Sequence, residues 1–227
     1  ARVKMSVADN STTAGKAVAA TATVSTGAVV DVTLNGSGSL ADFSNTFWNA
    51  AQSWPVITAA SRTGNFTLGT VSADIAGRPA NGYGTFTISQ TTTAANLEWT
   101  PLTAIEQWRF THFGSNANAG NAADSFDADG DGVINLAEFN GGSNPTDALS
   151  IPTFIFNNLA GVNWSTGANW NTGVAPVSNA ALAMETFTGQ TLTGTIPTTD
   201  DLVGTLTLNS LKLGGTGSGS GVANVSG

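Results

Sequence analysis

The chain has 227 residues, 41% of them hydrophobic and only 10% charged, with a formal net charge of -8. That apolar content supports packed cores in one large domain or two modest ones, and Lys and Arg, at 7 in total, are too few to neutralise a row of phosphates, so neither nucleic acid nor an anionic membrane is an expected partner. With no Cys there is no disulfide framework and no thiolate metal site, and no apolar run of about 20 residues offers a transmembrane span.

The first hundred residues alternate in short runs of β character: Val30-Asp31-Val32-Thr33-Leu34, Phe66-Thr67-Leu68, Thr85-Phe86-Thr87-Ile88 and Leu97-Glu98-Trp99. Turn formers separate them, at Asn35-Gly36, Gly64-Asn65 and Asn81-Gly82. Residues 42–50 break the alternation, and the spacing of Phe43, Phe47 and Trp48 predicts one short helix there. A second helix starts at Thr103, whose Thr-x-x-Glu spacing to Glu106 lets the two side chains cap the first turn, and Gly114 stops it. Ile105, Trp108 and His112 are expected on its buried face, with Glu106 and Arg109 wetter. After an acidic segment and a second loop from Asn140 to Pro145, the β pattern resumes at Phe154-Ile155-Phe156. It returns at Thr205-Leu206-Thr207-Leu208 and Ser210-Leu211-Lys212-Leu213, read as successive rungs or a hairpin.

The expected architecture is therefore mainly β: two small β modules, solenoid or sandwich-like, over 1–101 and 151–227, joined by a short helical connector over 102–150. Ser, Thr, Asn, Gly and Ala fill the positions between apolar residues, as in extracellular all-β proteins that stay soluble on hydroxyls and amides. The start at Ala1, without an initiator Met or an apolar leader, suits a mature product or a piece of something longer, and the Gly/Ser-rich stretch 214–221 favours the piece.

The acidic segment carries the chemistry. Asp127, Asp129, Asp131, Gly132, Val133, Asn135 and Glu138 occupy positions 1, 3, 5, 6, 7, 9 and 12 of a calcium loop, D-x-D-x-D-G-x-x-N-x-x-E. A hard cation needs about six or seven oxygens converging on one point. Alternate carboxylates on a tightly curled segment supply three, the Val133 carbonyl a fourth, Asn135 another directly or through water, and Glu138 on the exiting helix one or both of its oxygens. Ile134 is expected to turn inward. The competing possibility is a solvated acidic turn, since Asp and Gly are ordinary turn residues. Asp124 is read as a helix cap, with an outer-shell role as the alternative, and Asp147 as a cap or turn residue able to reach back to the metal. A single loop suits structural Ca2+ at extracellular millimolar levels, expected to fix the angle between the two β modules.

The stretch Leu102 to Ala148, with Trp108-Arg109, Phe113-Gly114, Gly120-Asn121-Ala122-Ala123-Asp124, the loop, Glu138-Phe139 and Gly142-Ser143-Asn144-Pro145, resembles calcium-binding connectors of very large bacterial surface proteins, akin to thrombospondin type 3 and dockerin repeats. Its flanks resemble autotransporter-associated β-strand repeat proteins, whose passenger regions are β-solenoids. Asn163-Trp164-Ser165-Thr166-Gly167-Ala168-Asn169-Trp170 through Pro176 looks like the opening of such a region, and Asp31 through Trp99 like the close of one. The resemblance implies a bacterial, secreted or cell-surface protein serving adhesion or filament assembly; because each β module would lack its stacking neighbour, its open β edges are expected to self-associate head to tail. It equally implies a fragment of a giant adhesin whose neighbouring rungs lie outside it.

Two other functions compete. An enzyme would have to use the lone His112 or bring together Glu185, Asp200 and Asp201, which nothing in the spacing unites. A carbohydrate-binding module could stack a glycan on exposed Trp residues, with Trp164 and Trp170 in an Asn/Gly-rich loop as candidates. Core roles are preferred for both. A glycan or surface receptor therefore remains among the expected partners, beside a second copy of the chain.

Overall fold

The computed structural model describes residues 1–7, 17–34, 41–160, 163–188, 190, 198–212 and 214. The Asn35-Gly36 turn, Leu213 and the Gly/Ser-rich tail beyond residue 214 lie outside them. The protein is mainly β and divides into two compact units, Ala1–Gln107 and Trp108–Gly227.

In the first unit the chain alternates between two sheets. Strands β1 (Arg2–Ser6), β3 (Ala28–Thr33) and β5 (Phe66–Val71) form one sheet in that order, all parallel. Strand β2 (Ala17–Thr23) runs parallel to β4 (Gln52–Thr63) in the other, which then continues antiparallel through β7 (Ala94–Pro101) to β6 (Gly84–Gln90). The chain thus passes back and forth between two sets of parallel partners until the antiparallel β6–β7 hairpin.

Both sheets feed one core, with Val30 and Val32 from the first, Trp54, Val56, Phe86, Leu97 and Trp99 from the second, and Phe43 and Trp48 from the connection between them. The strand alternation read from the sequence is real: Phe86 is buried while Thr85 and Thr87 are exposed. Residues 42–50 differ from expectation. Only Thr46–Asn49 turn, as a 3-10 helix, because Asp42 and Asn45 take the amides of Ser44 and Phe47 with their side chains and stop a longer helix from forming.

Helix α1 (Ala104–Phe113) begins as expected, with Glu106 reaching back to the Thr103 amide at 2.8 Å and Gly114 closing it at φ 68°. Its faces do not follow expectation. Arg109 is the buried residue, while Ile105, Trp108 and His112 are half-buried. The cause is an ion pair: Arg109 meets Asp124, which its buried charge requires. Asp124 is therefore a charge partner, also bonded to Asn118, and not a helix cap.

The second unit holds helix α2 (Asn135–Gly141) and a parallel sheet of β8 (Thr153–Phe156), β9 (Ala183–Thr186) and β10 (Ser210–Lys212), with Thr153, Ala183 and Ser210 side by side. Residues 205–208 form neither a rung strand nor a hairpin with 210–212. Leu206 and Leu208 pack their side chains on the core, and β10 pairs forward onto β9. The outer edge of β8 is covered by the Asn169–Asn171 segment, which exchanges hydrogen bonds with Ile155 and Asn157. Phe154, Phe156, Trp164, Trp170, Leu182 and Met184 form the core, and Val133 and Ala137 from the acidic segment belong to it.

Candidate metal centre

Every Asp of the loop is held by backbone amides of the loop itself. Asp127 accepts the Gly130 and Gly132 amides through its two oxygens, at 2.8 and 2.9 Å. Asp129 accepts the Asp131 amide, and Asp131 accepts the Val133 amide at 2.7 Å. These bonds curl the chain so tightly that Gly130 and Gly132 take φ of 80° and 93°, a region where a side chain is strained. The curl brings the three carboxylates together, with one oxygen from each lying within 4.8 Å of the others. Among the described residues this is the one group of three or more side chains able to share a metal.

The segment then enters α2, with Ile134 at its N-terminus and partly packed on the core, as expected. Asn135 and Glu138 are buried at 1% and 0% exposure. The amide nitrogen of Asn135 is used twice, donating to the Asn121 and Ala123 carbonyls at 2.8 Å each, which leaves its oxygen without a partner. Glu138 accepts the Ser143 hydroxyl on Oε1 at 3.0 Å, and its Oε2 has none. Asp129 and Asp131 each keep one buried oxygen unpartnered as well.

Four buried oxygens are thus orphaned, and they sit at loop positions 3, 5, 9 and 12. A buried acceptor left unpaired costs about 1–3 kcal/mol, more when charged, so each of the four calls for a partner; Glu138 lies outside the 4.8 Å group of the three Asp carboxylates, though their charges reach it. The electrostatics agree. Burial pushes the Glu138 carboxyl up to about 7, and the charges of Asp129, Asp131 and Asp127 add to the shift. Asp131 is raised too, first by burial and then by its Asp neighbours. A divalent cation would satisfy the oxygens and cancel the repulsion together. The donor set fits a hard, oxygen-preferring ion such as Ca2+: oxygens of Asp127, Asp129, Asp131, Asn135 and Glu138, with the Val133 carbonyl as the expected backbone ligand. A solvated acidic turn would not bury Asn135 and Glu138.

Sequence reasoning missed two supporting residues. Ser143 orients Glu138, and Asn179 donates to the Asp131 carbonyl at 2.8 Å across 48 residues. The first sits in a Gly-rich loop with no pattern to mark it, and the second is distant in sequence. Asp147 is exposed and accepts the Leu149 amide in a turn, so it is spent locally.

The other candidate residues stay apart. Glu185 pairs with Thr188 and Lys212, Asp201 with Ser165, and Asp200 with the Leu202 amide. His112 packs 5.0 Å from the Trp108 ring, and burial lowers its pKa. Trp164 and Trp170 are buried at 8% and 3%, edge to face, with the Trp170 indole donating to the Trp164 carbonyl. Trp48, Trp54 and Trp99 are buried as well, leaving Trp108 half-buried, so none of the six Trp rings is fully exposed for stacking. No helix among the described residues is long and apolar enough to cross a membrane. No family model, no curated protein and no solved structure matches the chain.

Proposed function

We propose that this chain is a non-enzymatic structural module of a secreted or cell-surface protein, stapled by one Ca2+ held in residues 127–138. The observation that carries the proposal is the set of four orphaned oxygens on Asp129, Asp131, Asn135 and Glu138. Extracellular calcium is abundant enough to keep a single structural site filled, and its binding energy then becomes folding energy for the segment. The module serves adhesion or extracellular assembly through its strand edges. Among the described residues, strand β2, Ala17–Thr23, is an edge strand of Ala, Val and Thr with no charge to deter pairing, and β1 and β10 are edge strands too. A second copy of the chain meeting these edges head to tail is the partner this supports. Thermal melting and light scattering of the full chain in calcium and in chelator test the proposal. Calcium should raise the melting temperature, and scattering that grows with protein concentration should accompany it. A melting temperature indifferent to calcium would contradict the staple, and a monodisperse monomer at high concentration would contradict the assembly.

A further inference from the structure

We infer that Asn179 is a positioning residue of the metal centre, coupling cation binding to the β9–β10 layer of the second unit; the inference rests on the calcium reading of the loop. The peptide between Asp131 and Gly132 is held at both ends. Its N–H, on Gly132, donates to Asp127 at 2.9 Å, and its carbonyl, on Asp131, accepts from Asn179 at 2.8 Å. That peptide lies between loop positions 5 and 6, where the chain turns sharply enough to require Gly132 at φ 93°. Its orientation decides whether the Asp127 and Asp131 carboxylates face the same point. Asp127 fixes one end from inside the loop, and Asn179 fixes the other from outside.

Asn179 is itself well anchored. Its side-chain oxygen accepts the Ala181 amide at 2.8 Å, and its own amide donates to the Thr207 carbonyl at 3.0 Å. Its carbonyl accepts the Leu182 amide, and the Leu182 carbonyl accepts from Asn209 and Ser210, at the entry to β10. An unbroken series of hydrogen bonds therefore runs from the loop through Asn179 to the last strand. The contact is reinforced where Val133 joins the core of Phe154 and Met184, and where Asn140 donates to the Thr172 carbonyl at 2.9 Å. Coupling of this kind is reciprocal: the Asn179 side chain on the Asp131 carbonyl tightens the cation, and the cation tightens that contact. Outer-shell partners of metal ligands contribute about 10–100-fold in metal affinity, which is the effect expected here.

The experiment compares the full chain with Asn179→Ala, Asn179→Asp and Ser178→Ala, titrating each with calcium and following amide hydrogen exchange with and without it. Ser178 accepts the Thr207 amide at 2.7 Å, so its loss weakens the same turn without touching the loop. Asn179→Ala should weaken calcium by about 10–100-fold and abolish the calcium-dependent protection of Leu182–Thr186 and Ser210–Lys212. Asn179→Asp keeps the acceptor for Ala181 and adds a negative charge that by itself favours calcium, so weaker binding in this variant can come only from the lost donor. Ser178→Ala should bind calcium as the unaltered chain does. Should the alanine variant fail to fold, the aspartate variant decides. Unchanged or tighter calcium binding in Asn179→Asp, or equal weakening in Ser178→Ala, would overturn the inference while leaving the calcium site intact. Absence of binding by the unaltered chain would instead remove the site itself.

Discussion

Asn135 and Glu138 sit in the first turn of α2, both buried: Asn135 spends its amide nitrogen on two carbonyls and leaves its single oxygen bare, and Glu138 takes the Ser143 hydroxyl on one oxygen and leaves the other bare. Burying a carboxylate that feels the charges of three Asp side chains, with an unpaired amide oxygen three residues before it, is costly without something positive to meet them. Glu138→Gln keeps the shape and removes the charge. Calcium affinity should fall by about 100-fold or more, the scale of a strong charged ligand, while the chelator-treated variant should melt no lower than the unaltered chain. Calcium titration and melting in chelator check both halves.

The raised pKa of Glu138 sets an unusual pH dependence. Its folded value of about 7 lies above its ordinary 4.5, so without cation the folded state favours the protonated form. The stability this gives is fully present below about pH 4.5 and is lost as pH rises through about 7. In chelator, the melting temperature of the second unit should therefore fall between pH 5.5 and 7.5. In saturating calcium the trend should reverse, because protons compete with the ion. The lowered pKa of Asp31, caused first by its hydrogen bonds from Arg2 and then by the Thr70 amide, acts only on acidification toward about 2 and stays outside this window.

Much of this was legible in the sequence, and the failures have physical causes. The loop was readable because its ligands are fixed by offsets within twelve residues and need no tertiary information. Strands β3, β5, β6, β7 and β8 were readable from alternation. Strand β4 was not, because Pro55 argues against a central strand; the sheet accommodates it at a register shift between Pro55 and Ile57. Strand β9, Ala-Met-Glu-Thr, has no pattern of its own and becomes a strand because β8 and β10 flank it. Arg109 looked like an exposed helix residue until Asp124 supplied its partner.

That pair yields its own prediction. Arg109→Leu removes a buried cation but leaves Asp124 bonded to Asn118 and 31% exposed, so the loss is softened. It should destabilise the second unit by about 1–3 kcal/mol in urea unfolding. The number of calcium ions bound should not change, since Asp124 is spent on Arg109 and Asn118.

Trp99 donates its indole N–H to the Trp48 carbonyl at 2.9 Å in the core of the first unit. Trp99→Phe removes that hydrogen bond and leaves a gap beside the Trp48 carbonyl, for a cost of about 1–3 kcal/mol. Trp164→Ala should cost about 3–5 kcal/mol in the second unit, as the truncation of a buried core aromatic. Denaturant melts of each variant measure the loss; a Trp164→Ala chain of unaltered stability would show that this ring is not part of the core.

The most direct test of the account is a calorimetric calcium titration of the chelator-stripped chain beside Asp127→Ala. Binding of one ion by the unaltered chain, and of none by the variant at the same concentrations, is the predicted result. A chain that takes up no calcium, or a variant that binds as well as its parent, would contradict it.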